Sequence, residues 1–143
     1  MQSKKIKILI VDDTPLTIKL LKRMSEKLGV SDIFTAQNGF EAIAVAVEKN
    51  PDIIFLDIEM PFLDNATPEL DGIQTLKMLK AIDTTKNINV IMVSANLDHR
   101  NVATTLEYGA ADCISKPFQI DTLNEKLEKL YPSVFRDSLD VAI

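Results

Sequence analysis

The sequence predicts a single doubly wound α/β domain, five parallel strands with helices on both faces of the sheet. Three observations predict it. Short apolar runs at 8–11, 53–56 and 90–93, with a weaker one at 113–114, are rich in β-branched residues and do not alternate with polar ones. Strands of a parallel sheet covered on both faces read this way. Stretches with apolar residues at helical spacing separate the runs, and the two signals alternate along the chain, as in successive βαβ units.

The first strand (8–11) is followed by a helix whose Leu20, Leu21, Met24 and Leu28 share a face, with Gly29 placed to stop it. A less distinct run at 33–36 is the second strand. Ala42, Ile43, Ala46 and Val47 form the apolar face of a second helix, ended by Asn50-Pro51. The third strand (53–56) leads to a helix carrying Ile73, Leu76 and Leu79. The fourth (90–93) leads to one carrying Val102, Ala103 and Leu106, with Gly109 as its cap. The fifth strand precedes a helix with Ile120, Leu123, Leu127 and Leu130 on one face. Right-handed crossovers leave few topologies for such units. The flavodoxin-like order 2-1-3-4-5, with five helices and a switch point between strands 1 and 3, is the expected one.

The 143 residues suit one compact domain, and 46% apolar content supplies an ordinary core. The net charge is 16 − 21 = −5, against the basic surface a nucleic-acid binder normally shows. A lone cysteine, Cys113, excludes an internal disulfide and points to a reducing compartment, the cytoplasm. The apolar run after the basic N-terminus (Lys4, Lys5, Lys7) is too short for a signal-peptide core or a membrane span. Neither nucleic acid nor membrane is therefore expected as a direct partner.

Polar residues of chemical interest stand immediately after the apolar strands: Asp12-Asp13, Asp57, Ser94 and Lys116-Pro117. In an open parallel sheet the carboxyl ends of the strands share the edge where ligands bind. Each residue alone has a plainer explanation. An Asp after a strand is usually a turn former or helix cap, Ser94 would serve as a cap, and Lys116 as a solvated charge. Five suitable groups at four strand ends are hard to obtain from turn chemistry, and that coincidence favours a site.

Two carboxylates about 4 Å apart repel by about 1 kcal/mol in bulk water and about 4 kcal/mol at an effective dielectric of 20. Three together call for a cation. Hard oxygen ligands favour Mg²⁺ over Zn²⁺, and the one histidine, His99, falls at the start of the fourth helix as a surface residue. A metal beside a carboxylate, a Lys and a hydroxyl suits phosphoryl transfer, in which positioning and charge neutralisation dominate. Asp57, alone on the central strand, is the expected nucleophile and acceptor.

The segments ILIVDD (8–13), DIIFLDIEMP (52–61), DGI (71–73), VIMVSA (90–95) and GAADCISKPF (109–118) resemble the motif set of response-regulator receiver domains, in order, over about residues 5–131. The resemblance implies a phosphoacceptor switch of a two-component phosphorelay, with phosphorylation on Asp57. It implies Mg²⁺ held by Asp13 and Asp57 directly, by Asp12 through water, and by the Glu59 backbone carbonyl. Ser94 and Lys116 would hold phosphoryl oxygens, and the Lys116–Pro117 bond would be cis. The donor would be a phosphohistidine on a sensor kinase or histidine phosphotransfer protein. Output would be contact with a downstream protein that the sequence does not name. Self-catalysed phosphotransfer and dephosphorylation would be its only chemistry, so it would not be a conventional enzyme.

Three departures from the family pattern stand out. Cys113 occupies the position, three before the Lys, where members usually carry an aromatic residue that rotates on activation, so that readout is expected to be absent or altered. Residues 62–68 form an insertion after the third strand, either a tolerated surface loop or a rim that screens the site or recognises a partner. Residues 1–131 are expected to form the receiver domain. Residues 132–143 are expected to form an extension without an output domain, which packs on its own domain, forms a homodimer, contacts a partner or stays loose.

Rival functions fit less well. A haloacid-dehalogenase-type phosphatase also uses an Asp nucleophile and Mg²⁺, but its Asp-x-Asp is missing, since Asp12 and Asp13 are adjacent. A flavodoxin-like cofactor binder would not place an acidic pair where a flavin phosphate binds. A receiver serving as a phosphorylation-independent adaptor would not need the full set of Asp12, Asp13, Asp57, Ser94 and Lys116.

Overall fold

A computed structural model of the chain describes residues 4–60 and 70–135. The elements run β1 (Lys4–Val11), α1 (Pro15–Lys27), β2 (Val30–Ala36), α2 (Gly39–Lys49), β3 (Ile53–Asp57) and α3 (Gly72–Ala81), followed by β4 (Asn89–Ser94), α4 (His99–Glu107), β5 (Asp112–Ser115), α5 (Ile120–Leu130) and the short α6 (Pro132–Phe135). All strand pairs are parallel and the sheet order is β2-β1-β3-β4-β5, the expected one.

The unbroken apolar runs are explained by two cores. Ile8 and Ile10 of β1, Ile53 and Phe55 of β3, and Ile91 and Val93 of β4 pack with Leu21 of α1 and Leu123 and Leu127 of α5. Their neighbours Leu9, Val11, Ile54, Leu56, Val90 and Met92 face the other way, against Ala42 and Ala46 of α2 and Leu76 and Leu79 of α3. Successive side chains of a strand point to opposite faces, so burying both faces makes every position apolar. At about 25 cal/mol per Å² of apolar surface, each fully buried Ile or Leu contributes about 1.5–3 kcal/mol.

Local chemistry sets the helix ends. Asn38, Asp71 and Asp98 each accept a hydrogen bond at 2.8 Å from the backbone N–H three residues on, capping α2, α3 and α4. Gly29 and Gly109 take φ of +98° and +101° just beyond α1 and α4, a conformation that costs glycine least.

The structure adds a sixth helix to the five expected. The first four residues beyond Tyr131 form α6, which seats Phe135 fully buried in the α1/α5-side core, with the Lys4 ammonium 4.5 Å from its ring centroid. The packed fold thus reaches Phe135. Residues 136–143 of the expected extension, and the 62–68 insertion, lie outside the described residues.

The expected face of α4 is also corrected. Thr105 is fully buried, whereas Ala103 and Leu106 are exposed. Thr105 can go inward because its hydroxyl donates to the Val102 carbonyl at 3.0 Å and meets Cys113 Sγ at 3.3 Å. Leu20 and Val47, expected on the inner faces of α1 and α2, are likewise exposed. They lie at the edges of their apolar stripes, where helical periodicity is least decisive.

Candidate functional site: an acidic cluster at the carboxyl edge of the sheet

Asp12 follows β1, Asp57 ends the central strand β3, Ser94 ends β4, and Lys116 follows β5. Strand register carries them to one edge, with Val11 beside Leu56, Asp57 beside Val93, and Ser94 beside Ser115. Carboxylate oxygens of Asp12, Asp13 and Asp57 all lie within 4.8 Å of one another. Among the described residues this is the one group of His, Cys, Asp or Glu side chains placed to share a metal ion.

Lys116 bridges two members of the cluster. Its ammonium lies 2.9 Å from Asp12 Oδ2 and 3.3 Å from Asp57 Oδ1. Its backbone N–H donates to the Ser94 carbonyl at 2.8 Å, and the Lys116–Pro117 peptide is cis. Asp12 Oδ1 accepts from the Thr14 N–H at 2.9 Å, which turns the chain into α1. Asp57 Oδ1 accepts from the Glu59 N–H at 3.3 Å.

Asp57 is 2% exposed and Asp12 1%. Burial, with Asp12 and, to a smaller degree, Glu59 adding repulsion, pushes the Asp57 carboxyl up from 3.8 to about 7 against the opposing pull of Lys116. Burial pulls the Lys116 ammonium down, but the Asp12 hydrogen bond and the Asp57 charge prevail and raise it. Three carboxylates and one ammonium sum to −2. The site is short of positive charge, which adds to burial in raising Asp57.

The start of α3 is locked against this edge. A Cβ added to Gly72 would lie 2.1 Å from the Asp57 carbonyl oxygen, and the Gly72 N–H donates to the Ile58 carbonyl at 3.0 Å. Only a residue without a side chain lets the two backbones approach so closely.

A match to the family model described as "response regulator receiver domain" covers residues 8–128. The chain belongs to the response-regulator receiver family. The receiver is 37% identical over 123 residues to the chemotaxis protein CheY of Bacillus subtilis, covering 86% of this chain and 95% of that one. Identity to the sporulation initiation phosphotransferase F of the same organism is 35% over 126 residues, 88% and 94% of the two chains. The fold superposes with a TM-score of 0.77 on the CheX–CheY–BeF3–Mg²⁺ complex from Borrelia burgdorferi, at 33% identity and covering 88% of this receiver and 89% of that chain. Receivers are signalling domains of two-component systems rather than conventional enzymes. No helix among the described residues of this one is long and apolar enough to cross a membrane.

The five groups read from the sequence converge, and His99 stands apart, exposed in the first turn of α4. Sequence reasoning missed two contacts. The Ser94 hydroxyl donates to the Glu59 side chain, a contact the sequence does not specify. Cys113 pairs with buried Thr105. The signal for the first was partial, since Glu59 follows Asp57 by two positions and so stays at the same edge. The second depended on which face of α4 turns inward.

Proposed function

We propose that this receiver accepts a phosphoryl group on Asp57 from a phosphohistidine of a sensor kinase or histidine phosphotransfer protein, and signals by protein contact. The bridging of Asp12 and Asp57 by Lys116, beside a third carboxylate, is the observation that carries it. In the forward step an Asp57 carboxylate oxygen attacks phosphorus and forms an acyl phosphate. The P–N bond to the donor imidazole breaks, and its electron pair remains on the ring nitrogen. Lys116 supplies charge to one phosphoryl oxygen and Ser94 an O–H to another, and the low polarity of the buried edge strengthens both. In the return step water attacks phosphorus, the P–O bond breaks, and Asp57 is regenerated as inorganic phosphate leaves. Both steps are self-catalysed.

Asp12, Asp13, Asp57 and the Glu59 backbone carbonyl would hold Mg²⁺, and the donor set fits, being all oxygen with a charge deficit of two. When bound, the ion supplies the positive charge that keeps Asp57 ionised and neutralises phosphoryl oxygens. Phosphorylation of Asp57 then biases a two-state surface around α4 and β5, where Leu106 and Tyr108 stand 48% and 39% exposed to solvent. In this reading residues 1–131 carry the receiver activity, the residues beyond are an extension, and the protein works in the cytoplasm beside its donor.

Incubation with acetyl phosphate and Mg²⁺ tests the assignment. Wild type is expected to gain one hydroxylamine-labile phosphoryl group and Asp57→Asn none. Undiminished labelling of Asp57→Asn removes Asp57 from the role.

A further inference from the structure

We propose that Glu59 is a positioning residue that holds the receiver in its unphosphorylated arrangement by engaging the only proton Ser94 can donate. The inference rests on the reading of Asp57 as phosphoacceptor. Ser94 ends β4 fully buried. Its Oγ accepts from the Asn96 N–H at 2.9 Å, and its O–H donates to Glu59 Oε1. A serine hydroxyl has one proton to give. While Glu59 holds that proton, no phosphoryl oxygen on Asp57 can have it.

Glu59 is placed for this by its position two residues beyond Asp57, with its own N–H on Asp57 Oδ1 at 3.3 Å. The Glu59 carboxylate and a phosphoryl oxygen are both anionic acceptors for the same donor. Phosphorylation therefore has to break a charge-assisted hydrogen bond and bring a phosphoryl group of charge near −2 beside another carboxylate. Both effects favour the unphosphorylated arrangement. Glu59 is an exposed residue, so it can turn into solvent once displaced.

The consequence extends to α4. The Asn96 N–H rests on Ser94 Oγ, and the Asn96 carbonyl accepts from the Asp98 N–H and from the Asn101 side chain, each at 3.1 Å. Asn101 lies in the first turn of α4. Movement of the Ser94 hydroxyl away from Glu59 is thus transmitted through Asn96 to the start of α4, and release of this contact is the first move of the switch.

Binding of beryllofluoride with Mg²⁺ to the full chain, measured by calorimetry, tests the inference with Glu59→Ala and Glu59→Gln, each made alone and with Ser94→Ala. Glu59→Ala is expected to bind the mimic about tenfold more tightly than wild type, with Glu59→Gln (an acceptor without the charge) in between. In the Ser94→Ala background the gain from Glu59→Ala falls to about threefold, because only charge repulsion is then relieved. Without ligand, the Ser94 and Asn96 amide resonances of Glu59→Ala shift toward the positions that wild type shows with the mimic bound. Unchanged or weaker binding, an equal gain without the Ser94 hydroxyl, or unmoved amides overturns the inference. Failure of folded wild type to bind the mimic, or binding by Asp57→Asn equal to wild type, strikes instead at Asp57 as the acceptor and takes the inference with it.

Discussion

Asp57→Asn replaces a buried ionisable carboxyl with a neutral group of nearly the same volume, so its effect on the metal-free protein isolates the electrostatic cost of the site. In the fold the carboxyl is pushed from 3.8 to about 7 by burial first and Asp12 second. The difference, 7 − 3.8 ≈ 3, corresponds to about 4 kcal/mol of unfavourable ionisation at about 1.4 kcal/mol each. Asparagine removes that cost but weakens the contact to Lys116 at 3.3 Å, while Lys116 keeps Asp12 at 2.9 Å. The Lys116 attraction is already contained in that net shift, and the imperfect fit of an amide hydrogen bond at this buried position offsets about 1 kcal/mol. The variant is therefore expected to be more stable than wild type by about 2–3 kcal/mol above pH 7, or about 6–9 °C in Tm for a domain of this size.

The pH dependence has a definite sign. Between about pH 4 and 7 the folded carboxyl keeps its proton while the unfolded one has lost it, so wild-type stability falls as pH rises. Above about 7 both states are ionised and the loss is complete. The advantage of Asp57→Asn therefore grows from pH 4 to pH 7 and then levels off. Mg²⁺ restores stability to wild type and does little for the variant. Thermal melts from pH 4 to 8, with chelator and with Mg²⁺, measure all three trends. Parallel wild-type and variant curves across that range, or a variant that melts lower in chelator, would refute the reasoning.

Gly72→Ala is expected to cost about 3 kcal/mol in urea melts, because its Cβ would meet the Asp57 carbonyl oxygen at 2.1 Å and must push β3 or α3 aside. Phe135→Ala is expected to cost about 3–5 kcal/mol by emptying a fully buried site, while Mg²⁺ affinity at the opposite end of the sheet stays within about twofold in a metal titration. Cys113 packs against Thr105 and offers no aromatic ring to rotate. Crystal structures with and without a phosphoryl mimic are expected to show this contact in both, and a large Cys113 rotation in only one contradicts it. The Cys113 thiol is raised above its ordinary value by burial, so its alkylation at pH 7.5 is expected to be slower than that of free cysteine.

The sheet was legible in the sequence because burying both faces forces uninterrupted apolar runs, and β1, β3 and β4 meet that condition most fully. The site was legible for a related reason: chemistry-bearing residues directly after such runs must gather at one edge, as Asp12, Asp57, Ser94 and Lys116 do. Residues whose role depends on side-chain pairing were harder to read. Thr105 looks like a surface residue until Val102 and Cys113 supply its partners. Leu106 looks like core until α4 is seen to turn it outward. Phe135 looked like part of a loose end, because four residues of helix carry too little periodicity to register as an element. Glu59 is an intermediate case, since its place two residues beyond Asp57 keeps it at the same edge but does not say which side chain its carboxylate meets.

The hydrogen bond from Gly72 to Ile58, with the backbone of Gly72 pressed on that of Asp57, works as a clasp that closes the chain on itself. Whatever lies between its two halves enters and leaves at fixed points. A change of length or composition between those halves can consequently leave β3 and Asp57 in place. For a protein engineer the same clasp marks a port: a reporter peptide grafted between its halves would have both anchor points, Ile58 and Gly72, already set.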